Sequence, residues 1–166
     1  SRYSGALGPV KWARDKFRQY YYFDAFHLSG DLVDSLVQHL SKKSGILVAY
    51  SSLLRFLLDD VGDELPEINL AGIQSSAEVL DPALRMKLAR RFSCEVFDRY
   101  GSRETGIIGH ERWSGSGIDF FGALNFVERQ PVSFDVSNEI SEKVVVTSLE
   151  NFAQPLIRYE LGDLFS

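Results

Sequence analysis

Between residues 46 and 100 the chain alternates short apolar runs with helix-length amphipathic segments, and that alternation restricts the fold more than any other feature. Ile46-Leu47-Val48-Ala49-Tyr50 is bounded by Gly45 and Ser51, and Ser52 to Val61 then takes helical spacing through Leu53, Leu54, Leu57, Leu58 and Val61. Glu67 to Ile73 is a second buried-strand candidate. Asp81-Pro82 opens a helix to about Phe92, because aspartate caps orphan N–H groups and proline is tolerated at the first helical position. Cys94 to Tyr100 is a third strand. An earlier helix spans Asp31 to Lys43, with Leu32, Val33, Leu36, Val37 and Leu40 at helical spacing and Ser29 or Asp31 as its cap. Strands separated by helices of this length pair in parallel through right-handed crossovers. Ligand-bearing loops then gather at the carboxyl ends of the strands, and Tyr100-Gly101-Ser102 sits at such an end.

After Gly106 the pattern changes. Ile107 to His110, Ile118 to Phe121, Leu124 to Arg129 and Lys143 to Leu149 read as strands separated by Gly, Ser, Pro and Asn. The expected fold class is therefore α/β, a parallel sheet with flanking helices over residues 1–112, followed by a mostly β region over 113–166. The boundary falls softly between His110 and Ser116.

Composition narrows the function classes. With 45% hydrophobic and 25% charged residues in 166, the chain is long enough for one good core or two small subdomains. A net charge of -5 with the 18 basic residues scattered along the chain argues against nucleic acid, which calls for clustered cations on one face. One cysteine, Cys94, excludes an internal disulfide framework, and no apolar run reaches the length of a membrane span. The expected setting is cytoplasmic. The glycines of a dinucleotide-binding fingerprint are missing from Gly72-Ile73-Gln74-Ser75-Ser76-Ala77-Glu78, so an oxidoreductase of that type finds no support.

Two segments carry chemistry. Asp98-Arg99-Tyr100-Gly101-Ser102-Arg103-Glu104-Thr105-Gly106 sets an aromatic ring, a glycine, a hydroxyl and a carboxylate within a few residues. Pro155-Leu156-Ile157-Arg158-Tyr159-Glu160-Leu161-Gly162-Asp163 ends in a Gly-Asp turn with a carboxylate. In this order and at this distance the two resemble the adenylate-forming ligases, and within them the phenylacetate-CoA ligase and capsule-biosynthesis CapK-like branch.

The resemblance implies roles. Tyr100 would lie against adenine, a stack worth roughly 1–3 kcal/mol; Gly101 would allow a sharp turn or close approach, and the Ser102 hydroxyl would face the phosphate end. Glu104 would be the catalytic carboxylate that holds Mg2+ between ATP phosphate oxygens, a task suited to a hard oxygen ligand. Ser76, Ala77 and Glu78 would form the other wall of the adenine pocket, and Asp163 would take both ribose hydroxyls. His27, Tyr50 and Ile108, with Phe26 nearby, would neighbour the acyl pocket. Arg103 departs from the threonine common in the superfamily, and Glu160 and Leu161 stand where arginine and threonine are usual. Arg158 reads as a structural ion-pair partner. His39 on its helix and Cys94 on its strand read as packed residues. His110 lies where related sequences sometimes build zinc sites, but no cysteine follows Cys94.

The likeness runs from about Phe23 to Ser166 and covers the middle of a ligase. The Ser/Thr/Gly-rich phosphate loop is absent, Ser4-Gly5-Ala6-Leu7-Gly8-Pro9 being only a faint match, and so is the small C-terminal domain with its lysine. The expectation is an internal fragment, inactive alone, of an enzyme that uses ATP to activate a carboxylic acid as acyl-AMP and passes the acyl group to a thiol such as coenzyme A. The remaining domains of its own longer chain would be its partners. The alternative is a noncatalytic nucleotide-binding or scaffolding domain on the same fold.

Overall fold

The computed structural model describes residues 9–25, 27, 29–59, 61–62, 66–133 and 140–165. Phe26 and the stretch 1–8, which holds most of the faint phosphate-loop match, lie outside the described residues. The elements are α1 (Pro9–Phe17), α2 (Gly30–Lys42), β1 (Ile46–Ala49), α3 (Ser51–Asp59), β2 (Gly72–Ser76), α4 (Pro82–Phe92), β3 (Val96–Ser102), β4 (Gly106–Glu111), β5 (Ile118–Phe120), β6 (Asn125–Ser133), β7 (Ile140–Ser148) and β8 (Tyr159–Phe165).

β1 to β5 form one sheet in chain order. β1, β2 and β3 run parallel, as the intervening helices require, whereas β4 and β5 turn back antiparallel on β3. β6, β7 and β8 make a separate antiparallel sheet. The change of sheet thus falls between Phe120 and Asn125, later in the chain than the change of pattern in the sequence.

α4 illustrates how local chemistry sets an element. Asp81 Oδ1 accepts from the Ala83 N–H at 2.7 Å, Pro82 supplies a ready-made φ, and Ser93 ends the helix in the left-handed region at φ 50°. Leu84, Leu88 and Phe92, four apart, point into the core. There they meet Leu54 of α3, Ile73 of β2 and Val96 of β3. The expected strand at Glu67 to Ile73 begins late, at Gly72. Ile68 and Leu70 do enter the core, but β1 starts at Ile46, whose register partner is Gly72, so the chain before Gly72 has no strand beside it.

A second core joins the two sheets. Ile108 of β4 is fully buried against Val144 and Val146 of β7, with Tyr100, Phe120, Val127 and Leu161 around them. β8 departs from the expected Gly-Asp turn: it is a strand in which Gly162 takes φ 83° and β7 shifts register between Lys143 and Val145. A left-handed glycine inside a ladder re-aims the neighbouring side chain without ending the strand.

Candidate functional site

Because β1, β2 and β3 are parallel, their carboxyl ends lie along one edge of the sheet. An open cavity of about 370 Å³ sits there, lined by Tyr50, Ser52, Leu53, Phe56, Ala77 and Glu78. Tyr50, expected at the acyl pocket, and Ala77 and Glu78, expected at the adenine pocket, therefore share one hollow. Ser76 stands at its edge, where its hydroxyl accepts from Arg99 Nε at 3.2 Å and Nη2 at 2.8 Å. Ala77 is left-handed at φ 66°, which costs a non-glycine residue about 1 kcal/mol. Both Glu78 oxygens are engaged: Oε2 accepts from the Ser52 N–H at 2.6 Å and Oε1 from the Ser52 hydroxyl at 2.9 Å.

The two chemistry-bearing segments meet at the end of β3. The Tyr100 hydroxyl donates to Asp163 Oδ2 at 2.6 Å, across 63 residues of chain. Burial, and then the bond to Asp163, pushes the phenol well above its ordinary value, so it stays a donor at any physiological pH. The Tyr100 ring is half-buried and meets Phe120 edge-on at 6.5 Å. Asp163 is exposed.

Gly101 serves close approach. A Cβ there would collide with the Gly106 carbonyl of β4, at the register shift between Tyr100 and Gly101. Ser102 closes the β3–β4 turn: its Oγ accepts from the Glu104 N–H at 3.2 Å and the Thr105 N–H at 3.1 Å. Glu104 stands exposed on that turn beside Arg103, with its carboxyl held below the usual range by its own backbone N–H and the Ser102 hydroxyl. A single ionised carboxylate of this kind fits Mg2+, which keeps most of its shell as water and phosphate oxygens. Among the described residues no three His, Cys, Asp or Glu side chains cluster closely enough to hold a metal unaided.

Other expected residues fall elsewhere. Ile108, expected near the acyl pocket, has no exposed surface and belongs to the core between the sheets. His27 is exposed and bonded to Asp24 Oδ2 at 2.9 Å, while Ala25, two residues earlier, borders the cavity. The His39 ring meets Tyr21 at a tilt, 4.1 Å between centroids, and burial, with Lys43 nearby, lowers its pKa. His110 lines a second hollow of about 580 Å³ and meets Phe121 edge-on at 5.0 Å. Burial raises the Cys94 thiol, which makes it a poor nucleophile. Arg158 pairs with Glu128 at 3.4 Å as a structural cation. The unusual Glu160 is matched by Lys143 at 2.6 Å, and the unusual Leu161 packs into the second core.

One supporting group escaped sequence reasoning. Glu111 is buried and takes a two-pronged guanidinium contact from Arg85, at 2.6 and 2.8 Å, plus the Asp98 N–H at 2.8 Å. Arg85 also donates to the Val96 carbonyl at 2.6 Å. This ties α4 to the start of β3 and so fixes the strand that carries Tyr100. Burial works to raise Glu111, but the Arg85 and Asp98 donors outweigh it and leave the carboxyl below its usual range. Burial raises the neighbouring Asp98, and the negative Glu111 adds to the effect.

An α/β sheet with flanking helices, followed by a small antiparallel sheet, is the fold of part of the adenylate-forming ligase domain. No protein-family model and no curated protein sequence matches the chain. Solved structures do. The open conformation of 2-hydroxyisobutyryl-CoA ligase, in complex with 2-HIB-AMP and CoA, matches at TM-score 0.65 and 20% identity over 83% of this chain and 35% of that one. The same ligase in its postadenylation state gives 0.67 and 20% over 83% and 31%. A benzoate CoA ligase from Burkholderia xenovorans LB400 gives 0.58 and 18% over 76% and 27%. All are CoA ligases, and at these identities the likeness is one of fold. The chain spans about a third of the length of the 2-hydroxyisobutyryl-CoA ligase.

Proposed function

We propose that this chain is the nucleotide-handling part of an adenylate-forming ligase of the phenylacetate-CoA ligase and CapK-like branch. The observation that carries the reading is the bond between Tyr100 and Asp163, which unites the two segments at the carboxyl end of β3. In this reading the adenine lies against Tyr100, with Ser76 and Ala77 as the opposite wall and Glu78 behind them. The ribose hydroxyls bind the Asp163 carboxylate, which is exposed and oriented by the Tyr100 hydroxyl. Glu104 holds Mg2+, which when bound offsets charge on the phosphate oxygens. The carboxylic acid enters the hollow beside Tyr50, with His27 at its approach.

A substrate carboxylate oxygen then attacks the α-phosphorus of ATP; the bond to pyrophosphate breaks and an acyl-AMP forms. A thiol such as that of coenzyme A next attacks the acyl carbon, and AMP leaves. The chain's own contribution to the first step is positioning, which brings the reactants together in one orientation. ATP–pyrophosphate exchange by the full-length protein with a panel of carboxylic acids tests the reading. Exchange that depends on one acid and falls in Asp163→Ala supports it. Tight ATP binding with no exchange for any acid would instead mark a noncatalytic nucleotide-binding domain.

A further inference from the structure

The loop from β2 to α4 is strapped to the first turns of α3 at two points. Glu78 accepts from the Ser52 N–H at 2.6 Å and the Ser52 hydroxyl at 2.9 Å, and so caps α3 from a different part of the chain. Three residues on, Asp81 pairs with Arg55 at 3.3 Å while capping α4. Between the straps Val79 stands out into solvent, and just before them Ala77 holds its left-handed turn at φ 66°. An alanine keeps that backbone only where its surroundings impose it. Ser76 anchors the turn on one side as the last residue of β2, and the Glu78 carboxylate on Ser52 anchors it on the other, one residue away.

We infer that Glu78 is a positioning residue that touches no nucleotide: by capping α3 through Ser52 it sets the turn at Ala77, and with it the gap between Ala77 and Tyr50 across the hollow. The inference rests on the proposed function for what fills the hollow; the clamp itself stands on geometry. Both carboxylate oxygens already have donors, and a negative group at the N-terminal end of α3 is favoured by the orphan N–H groups there. Because Ser52 and Leu53 of α3 and Ala77 of the β2–α4 loop all line the hollow, a single side chain ties the two lining segments together.

Amide exchange at Ser52 in the isotope-labelled protein, together with ATP titration, tests this in Glu78→Gln and Glu78→Ala. Glutamine keeps an oxygen for the Ser52 N–H, whereas alanine removes it. In Glu78→Ala the Ser52 amide should lose protection on the order of tenfold, the range expected for a lost cap, and ATP affinity should fall with it. Glu78→Gln should retain most of both. Equal loss of ATP affinity in the two variants with Ser52 protection intact would overturn the inference, since Glu78 would then contact the nucleotide. If the parent protein binds no ATP, the proposed function fails while the clamp is still decided: unchanged Ser52 protection in Glu78→Ala rejects it.

Discussion

The Tyr100 hydroxyl and the Asp163 carboxylate, one in each sheet, meet at 2.6 Å. The phenol is thus a donor to the group proposed to hold ribose, and its ring is the surface proposed for adenine. Tyr100→Phe keeps the ring and removes the donor, so ATP affinity should fall by about 2- to 10-fold, the worth of one ordinary hydrogen bond. Tyr100→Ala removes the stack as well, roughly 1–3 kcal/mol, and should cost at least tenfold. Calorimetric ATP titration of both variants separates the two contributions. Equal losses would remove any role for the ring, and an unchanged affinity in Tyr100→Phe would remove any role for the hydroxyl.

Gly101 cannot carry a side chain, because a Cβ there would run into the Gly106 carbonyl. Gly101→Ala should therefore push β3 and β4 apart and destabilise the protein by about 1–3 kcal/mol, as overpacking does. Chemical denaturation reads the loss. A neutral result would mean that the bulge at Tyr100 and Gly101 is free to relax.

Glu111 and Asp98 give opposite responses to pH. Glu111 is held below its ordinary value, so its contribution is full above the unfolded carboxylate pKa and is lost as pH falls through the lower folded one. Asp98 is raised, so protonating it as pH falls through its folded pKa favours the folded state. Glu111→Gln should destabilise by about 3 kcal/mol at neutral pH, because it leaves the Arg85 guanidinium partly uncompensated, and should flatten the loss of stability below the ordinary carboxylate range. Asp98→Asn should be neutral or mildly stabilising at neutral pH. Urea melts across the acid range check both signs.

Ile108→Val should cost about 1 kcal/mol and Ile108→Ala about 3 kcal/mol, the usual toll of shortening a buried side chain. Neither should change which acid the full-length protein prefers, because Ile108 packs between the sheets against Val144 and Val146. A shift of acid preference in the conservative variant, with stability nearly intact, would contradict that position.

How far residues alone could lead differs from element to element. α4 was legible because an Asp-Pro cap and apolar residues at positions 84, 88 and 92 agree with one another. β8 was not, because Gly162-Asp163 has the local chemistry of a turn, and only the ladder to β7 makes it a strand. Ile108 follows the tyrosine-glycine segment closely enough to suggest a pocket. Its burial depends on β7, a strand more than thirty residues away. Glu111 gave no signal at all: a lone glutamate in a β-rich stretch looks solvated until Arg85, 26 residues earlier, is known to face it. The nearness of Tyr100 and Asp163 was legible, since the two segments that carry them match a known pattern. That Glu78 turns to Ser52 could not be read, because its partner lies on a different helix.

The buried residues of the first core run from Ala49 to Val96, whereas Tyr100 and Asp163 are 63 residues apart. During synthesis, most of the parallel layer can thus consolidate long before residue 163 is made, since contacts near in sequence form with the smaller loop-closure cost. The corner proposed to hold the nucleoside is completed only when β8 docks. An emerging chain would pass through a stage in which the parallel layer is folded yet the corner is blind to ATP, and protection by ATP would mark the docking of β8.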